Sequence, residues 1–201
     1  MLEQHVVLAV AWIIFCVVHS VLADLKLKKK VAESYPSLNK WYRAIYTVVA
    51  FATLAVVAFY HIALKSTLLF EPAFVHIIIG CGIAATGAVI MIICIKKYFL
   101  SLSGLKSLFA NQVVANNLRI DGIHQYVRHP LYLGTFLFIW GAFMLLPLAS
   151  LLISCIIITG YTLVGIRLEE KKLINEFGDA YRQYRQRVPR LVPFTKAPRQ
   201  S

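Results

Sequence analysis

Residues 131–166 form a run of 36 residues without a charged side chain, interrupted near its middle by Pro147. At about 1.5 Å per residue, one straight helix of this length would be nearly twice as long as a bilayer core is thick. Proline breaks helices and suits turns. We therefore predict two membrane-spanning helices, at about 131–146 and 148–166, joined by a tight turn.

Three earlier apolar runs, at 6–23, 44–64 and 73–95, approach the roughly 20 residues that a helix needs to cross a bilayer. The chain is 59% hydrophobic and 15% charged, whereas soluble domains average about 45–50% apolar and about 25% charged residues. Its 201 residues fit one domain, 1–201. The predicted fold class is all-α: a polytopic membrane protein of about five transmembrane helices, with a polar C-terminal segment at 167–201.

The 21 Lys and Arg residues lie between the apolar runs or after the last one. With five spans, all of them except Lys65 fall on one side of the membrane, which the positive-inside rule identifies as cytoplasmic. We therefore predict an N-terminus outside and a C-terminus in the cytoplasm, in a bacterial inner membrane. The net charge of +12 does not indicate nucleic-acid binding, because the cations occupy short loops rather than one basic face.

The third span carries small residues at helical spacing, Gly80, Ala84 and Ala88. Small residues in this pattern let the backbones of two membrane helices approach closely. Gly82 and Gly87 belong to the same apolar run and are also interpreted as packing residues, because no strand precedes them as it would in a nucleotide-binding loop. After this span, residues 98–109 predict a short amphipathic helix at the membrane interface.

Four cysteines lie inside apolar runs and form no C-x-x-C pair: Cys16, Cys81, Cys94 and Cys155. Structural zinc sites use closely spaced Cys and His ligands. We therefore expect no metal site.

Two polar clusters flank the last two spans. The segment G-I-H-Q-Y-V-R-H-P-L-Y-L-G, residues 122–134, precedes the fourth span, and Arg167, Glu169 and Glu170 follow the fifth. The hairpin at Pro147 returns the chain to the same side, so the clusters are predicted to meet. Adjacent carboxylates at a membrane need cationic partners, either Arg128, Arg167 or a cationic ligand.

Each feature of these clusters also has a simpler interpretation. Arg128 and Arg167 are then positive-inside anchors, Tyr132 belongs to the aromatic belt, and the two glutamates begin a solvated helix.

Together with R-L-E-E-K-K-L-I-N-E-F-G-D-A-Y-R-Q-Y-R-Q-R-V-P-R-L-V-P, the 122–134 segment resembles the isoprenylcysteine carboxyl methyltransferase and phospholipid methyltransferase superfamily. The resemblance covers about residues 118–193. It implies that S-adenosylmethionine (SAM) binds at the cytoplasmic face without a Rossmann domain, and that Glu169 takes the cofactor's amino group. By position it implies cofactor contacts from Leu118, Arg119, His124, His129, Pro130, Leu131, Tyr132 and Glu169.

Two positions depart from the pattern of that superfamily. His124 stands where relatives usually carry tyrosine, and Gly165 stands where prenylcysteine-type relatives carry arginine. Arg128 or Arg167 is therefore predicted to hold an anionic acceptor, carboxylate or thiolate, as a catalytic residue.

The function that the resemblance implies is SAM-dependent methyl transfer to a small or lipid-embedded acceptor, most simply S- or O-methylation. Thiols, carboxylates and amines remain open as acceptors, and the membrane lipid is the expected surroundings. Short stretches, H-S-V-L-A-D and L-S-G-L-K, also resemble methanethiol S-methyltransferases and NnrU-type membrane proteins. The alternative is an NnrU-type protein with a sensing or structural role and no methyltransferase activity.

Overall fold

The computed structural model describes residues 2–38, 41–102, 118 and 120–195. Short 3-10 turns occur at Pro36–Leu38 and Gly122–Gln125, and an isolated antiparallel bridge joins Leu68 to Leu148. The remaining regular elements of these ranges are α-helices, which confirms the all-α class: α1 Leu2–Ala23, α2 Leu25–Ser34, α3 Tyr42–Ala63, α4 Phe74–Leu102, α5 Pro130–Leu145, α6 Ala149–Phe177 and α7 Asp179–Arg187.

Four of the described helices contain segments long and apolar enough to cross a membrane: Leu2–Ala23, Ala44–Ala63, Phe74–Lys97 and Ala149–Phe177. The polytopic membrane class is thereby confirmed. The fifth apolar helix, α5, has 16 residues, which is about 24 Å of helix against a hydrocarbon core of about 30 Å. The five-span count and the orientation of the termini stay predictions.

Two helices extend beyond their predicted ends. α4 continues to Leu102, so residues 98–102 prolong a membrane helix instead of starting a separate amphipathic one. The rest of that predicted helix, residues 103–109, lies outside the described residues. α6 continues to Phe177 and carries both glutamates on a regular helix. Gly178 then breaks the helix with φ of 55°, a left-handed conformation that glycine adopts without steric cost.

The chain divides into two compact units, and the described part of the first comprises residues 2–38, 41–71, 95–102 and 146–158. Leu8, Trp12 and Val57 form its buried core. Trp12 Nε1 donates a hydrogen bond of 2.8 Å to Ser154 Oγ, which also lies 3.0 Å from His61 Nδ1. Polar groups inside apolar helices are stable when they pair in this way.

The predicted turn at Pro147 is held by the connection that follows α3. The Leu69 N–H donates to Pro147 O at 2.8 Å, and the Ala149 N–H donates to Thr67 O at 3.0 Å. These bonds satisfy backbone groups that a helix end would otherwise leave unpaired. The turn is therefore a rigid feature of this unit.

The described part of the second unit comprises residues 72–94, 118, 120–145 and 159–195. Here α4 and α5 pack through small residues: a Cβ added at Gly87 would lie 2.6 Å from Gly134 O, and one at Gly141 would lie 2.5 Å from Ala84 N. A Cβ at Gly80 would lie 3.0 Å from Gly141 O. Close packing through Gly80, Ala84 and Gly87 is confirmed.

One side-chain hydrogen bond joins two helices of this second unit. Trp140 Nε1 donates to Thr159 Oγ1 at 3.1 Å and joins α5 to α6. Gly82, in contrast to Gly87, has no atom within 4 Å of an added Cβ. The interpretation of Gly82 as a packing residue is therefore wrong, because close packing is confined to the face of α4 that carries Gly80 and Gly87.

Candidate active site

The 122–134 segment places two basic side chains at the start of the apolar helix α5. Gly122 begins the 3-10 turn with φ of 61°, and the buried side chain of Val127 follows that turn. Pro130 then opens α5, where its missing N–H leaves no bond unmade. The Leu133 N–H donates to His129 O at 3.1 Å, so His129 lies at the helix N-terminus.

Residues 188–190, which we call the C-terminal strap, pair with this motif through the backbone. The Arg128 N–H donates to Pro189 O at 2.9 Å, and the His129 N–H donates to Arg190 O at 3.2 Å. The strap follows α7, so the end of the chain closes onto the segment that precedes α5. The backbone of the two basic residues is thereby held at two consecutive positions.

An apolar cluster on α7 supports the strap. Tyr181, Tyr184 and Val188 are buried at a spacing of three and four residues, which places them on one helix face. The Tyr184 hydroxyl donates to His124 O at 2.6 Å and connects α7 to the 3-10 turn. Leu118, predicted to contact the cofactor, packs against this cluster.

Glu170 is the centre of the polar cluster, with a side chain only 4% exposed. Its Oε1 accepts from Arg128 Nη2 at 2.7 Å and from Arg128 Nε at 3.0 Å. Its Oε2 accepts from Arg190 Nη2 at 2.7 Å. His129 Nε2 lies 3.4 Å from Oε1. A buried carboxylate is stable when cations and hydrogen bonds compensate for lost hydration, and Glu170 has both.

The Arg128 guanidinium is committed to contacts within the protein. Besides its two bonds to Glu170, its Nη1 donates to the backbone carbonyls of Arg185 and Val188. Its side chain is buried. Arg128 therefore links α6, α7 and the strap through one planar group with several donors.

Glu169, the neighbour of Glu170, faces a different environment, and its side chain is 44% exposed. Its Oε2 is nevertheless buried, lies 3.6 Å from His129 Nδ1, and has no hydrogen-bond partner among the described residues. The rings of His129 and Tyr132 stack beside it with centroids 5.7 Å apart and an interplanar angle of 25°. The structure thus holds a buried acceptor next to two stacked rings.

The two carboxylates determine the charge of the buried His129 ring. Burial disfavours the imidazolium, but the contacts with Glu169 and Glu170 and the charges of both outweigh it, so the pKa of His129 lies above its usual value. Tyr181 is a second buried polar group, whose hydroxyl has no hydrogen-bond partner among the described residues. Burial and the charge of Glu170 raise the pKa of Tyr181 to about 12, so the hydroxyl stays protonated.

The structure brings several predicted site residues together. Arg128, His129, Tyr132 and Glu169 meet as expected, with Pro130 buried beneath them at the start of α5 and Leu131 half-buried in the same turn.

The other predicted residues have different positions. His124 Nδ1 lies 3.2 Å from Arg128 O, so its ring contacts the backbone of the motif. Arg167 is exposed on α6, whereas Glu170 on the same helix is buried. Arg119 lies outside the described residues.

Two members of the cluster were not predicted, Arg190 and Tyr181. Both lie inside the tail that carries the resemblance, and Arg190 follows Pro189 directly. A proline after a helix indicates a turn, and that signal identifies a chain reversal but not its target. Within the described ranges no three His, Cys, Asp or Glu side chains are grouped so that they could hold a metal ion.

A family model described as "Protein of unknown function (DUF1295)" matches residues 28–188. A methanethiol S-methyltransferase from Crocosphaera subtropica is 30% identical over 189 residues, which are 90% of this chain and 71% of that protein. Methanethiol S-methyltransferase 1 of Bradyrhizobium diazoefficiens is 34% identical over 119 residues, 48% of this chain and 41% of that protein. The superfamily resemblance is confirmed.

The protein-S-isoprenylcysteine O-methyltransferase of Schizosaccharomyces pombe is 42% identical over 74 residues, 36% of this chain and 31% of that protein. The chain thus spans less than half the length of two of these three relatives. No solved structure shows a significant match.

Proposed function

We propose that this protein, a member of the DUF1295 family whose relatives are named as methyltransferases, is a membrane methyltransferase that uses SAM and methylates a small thiol. The proposal rests on the extent of the match to a methanethiol S-methyltransferase, which includes 90% of this chain. The site must then bind the cofactor, and we expect the contacts at buried polar atoms that have no hydrogen bond.

The buried Oε2 of Glu169 is the group that best fits SAM. A buried carboxylate oxygen without a hydrogen-bond partner carries a desolvation cost, which an ammonium group would relieve. The cofactor's amino group provides such an ammonium. Tyr132 also faces Glu169, and its ring offers an aromatic surface that favours a sulfonium by cation–π contact.

When bound, SAM supplies a methyl group already activated by its positive sulfur. The protein must therefore mainly align the two reactants and exclude water. We assign the alignment to the Glu170 cluster. The strap holds the His129 backbone, and Glu170 contacts the His129 ring. In this proposal Arg128 and Arg190 are positioning residues. The earlier prediction that Arg128 or Arg167 binds the acceptor stays a prediction, which the bonds of Arg128 do not favour.

A thiol is the acceptor that the surroundings of Glu169 support best. Gly165 lies one helical turn before Glu169 on the same face of α6. No atom lies within 4 Å of a Cβ added there, so the position offers space and no charge. A carboxylate acceptor would need a cation near it. A small thiol binds uncharged and gives up its proton as its sulfur takes the methyl group, while the cofactor leaves as S-adenosylhomocysteine.

Calorimetric titration of the detergent-purified protein with SAM and with S-adenosylhomocysteine tests cofactor binding. We expect both to bind, and we expect Glu169→Gln to weaken SAM binding by about 1–3 kcal/mol, as for a lost hydrogen bond to a charged group. Glu176→Gln, an exposed glutamate later on the same helix, is the matched control and should bind like wild type.

Three results would contradict parts of the proposal. Folded wild-type protein that binds neither ligand would favour the NnrU-type alternative without methyl transfer. Unchanged affinity in Glu169→Gln would remove Glu169 from the cofactor site. Transfer of a labelled methyl group to an isoprenylcysteine carboxylate, with none to methanethiol, would overturn the thiol assignment while retaining the methyltransferase.

A further inference from the structure

Two aromatic side chains near the strap are exposed and contact each other. Phe194 is 89% exposed and Tyr126 is 57% exposed, and their ring centroids are 6.4 Å apart at 63°. Val192 and Ile120, close to them in sequence, are exposed as well. We call these four residues the apolar patch. Exposed apolar patches commonly mark a surface that contacts something else.

The backbone of Phe194 adds a second observation. Its φ is +63°, in the left-handed region that bulky residues rarely adopt and that costs free energy. Strain of this kind persists where surrounding interactions compensate for it. The Thr195 hydroxyl donates to Val192 O at 2.7 Å across this turn, and the turn holds the Phe194 side chain almost fully exposed.

The position of the patch indicates what covers it. Tyr126 precedes the start of α5 at Pro130 by four residues, which span at most about 14 Å. Phe194 follows Arg190 by four residues, and Arg190 is bonded through its carbonyl to His129, the residue before Pro130. Both aromatic residues therefore extend from the end of one apolar helix. Aromatic rings prefer this boundary between acyl chains and water.

The charges around the strap fit the same surface. Arg187 is exposed and Arg185 is partly exposed, in the nine residues before Phe194, whereas Arg190 is bonded to Glu170. Cations at the end of a membrane helix are attracted to anionic lipid headgroups. An apolar aromatic patch beside them has the composition of a segment that lies in the membrane interface.

We propose that the apolar patch inserts into the boundary between headgroups and acyl chains of an anionic bilayer and anchors the C-terminal strap to the membrane. Residues 188–194 then contact the polar cluster at one end and the membrane at the other. Lipid contact at Phe194 holds residues 188–190 in the position where their carbonyls bind Arg128 and His129. This inference does not depend on the identity of the cofactor or the acceptor.

Fluorescence quenching by brominated lipid tests the insertion. Full-length protein is placed in nanodiscs of phosphatidylcholine and phosphatidylglycerol, with or without acyl chains brominated near the glycerol. Phe194→Trp adds one fluorophore, whose signal is obtained by subtracting that of wild type. Gln183→Trp, at an exposed position of α7, is the matched control. Both side chains are exposed, so both substitutions leave the fold intact.

We expect brominated lipid to remove about half or more of the fluorescence added by Phe194→Trp, and little of that added by Gln183→Trp. Iodide in the buffer should show the reverse order. Equal quenching of the two variants by brominated lipid, or iodide quenching of Phe194→Trp as strong as that of the control, would overturn the proposal. Either result would show that the patch faces water, as a surface for a soluble protein partner does.

Discussion

Replacing Glu170 by glutamine removes the charge that Arg128, Arg190 and His129 share, while the side chain keeps its size and shape. The wild-type carboxylate accepts two bonds of 2.7 Å, one from each arginine. In Glu170→Gln the amide oxygen replaces only part of this set, and the amide nitrogen faces a donor. The guanidinium of Arg128 stays buried without its counter-ion.

The expected loss of stability follows from that burial. Removing one partner of a buried ion pair costs about 3–5 kcal/mol, because the remaining charge is uncompensated. The amide oxygen retains some hydrogen bonding, so we expect the lower end, about 3 kcal/mol. At about 2–4 °C per kcal/mol for a chain of this size, the Tm should fall by about 6–12 °C.

Thermal unfolding in detergent, followed by circular dichroism, measures this change. Glu169→Gln is the matched control, since it makes the same chemical change at the adjacent position, where the side chain is 44% exposed. The control should lower stability by less than Glu170→Gln, because Glu169 loses one charged partner, His129, whereas Glu170 loses its bonds to two arginines. Equal Tm values for the two variants would refute the reasoning that Glu170 is the main counter-ion of Arg128 and Arg190.

Two further predictions concern other parts of the second unit. Gly87→Ala should destabilise the protein by about 1–3 kcal/mol, because the new Cβ would lie 2.5 Å from Phe138 N, whereas Gly82→Ala should be neutral or slightly stabilising in thermal unfolding. The raised pKa of His129 stabilises the fold fully below the ordinary histidine pKa of about 6.5, and this contribution is lost as pH rises through the folded-state value. The Tm should therefore decline as pH rises above about 6.5 in wild type, and less in His129→Gln.

Each of these has a clear contrary result. Equal stability of the two glycine variants would mean that α4 and α5 do not approach as closely as the structure shows. An identical pH profile in wild type and His129→Gln would mean that the ring is not held between Glu169 and Glu170 with Arg128 and Arg190 beside them. Tyr181 does not interfere in that range, because its pKa of about 12 lies above it.

The helices and their order were predictable from the sequence for a physical reason. In lipid, every backbone polar group must be paired within the chain, so long apolar runs have to be helical. Their lengths locate the spans, and Pro147 locates the turn between α5 and α6. Helix ends were less predictable. α4 and α6 continue into polar sequence, because a helix does not have to end where the chain leaves the apolar run.

The meeting of the two polar clusters was also predictable, since a hairpin returns the chain to the side from which it left. Spacing alone could not distinguish Glu169 from Glu170, because adjacent residues of one helix share the same flanking sequence and differ only by about 100° in direction; only the resemblance singled out Glu169. Packing of the strap on the motif places Arg190 against Glu170 and leaves Glu169 Oε2 without a hydrogen bond.

The sequence by itself therefore determined the class of the protein, its long apolar helices and part of the polar cluster. The tertiary structure added Arg190 and Tyr181 and decided which glutamate is a buried counter-ion, which has an oxygen without a hydrogen bond, and that Arg128 is bound within the protein. An apolar run favours a helix through its own residues, so it can be interpreted without knowing the rest of the fold. Charge pairing depends on distances between segments far apart in the chain, such as Arg128, Glu170 and Arg190, and only folding brings these together.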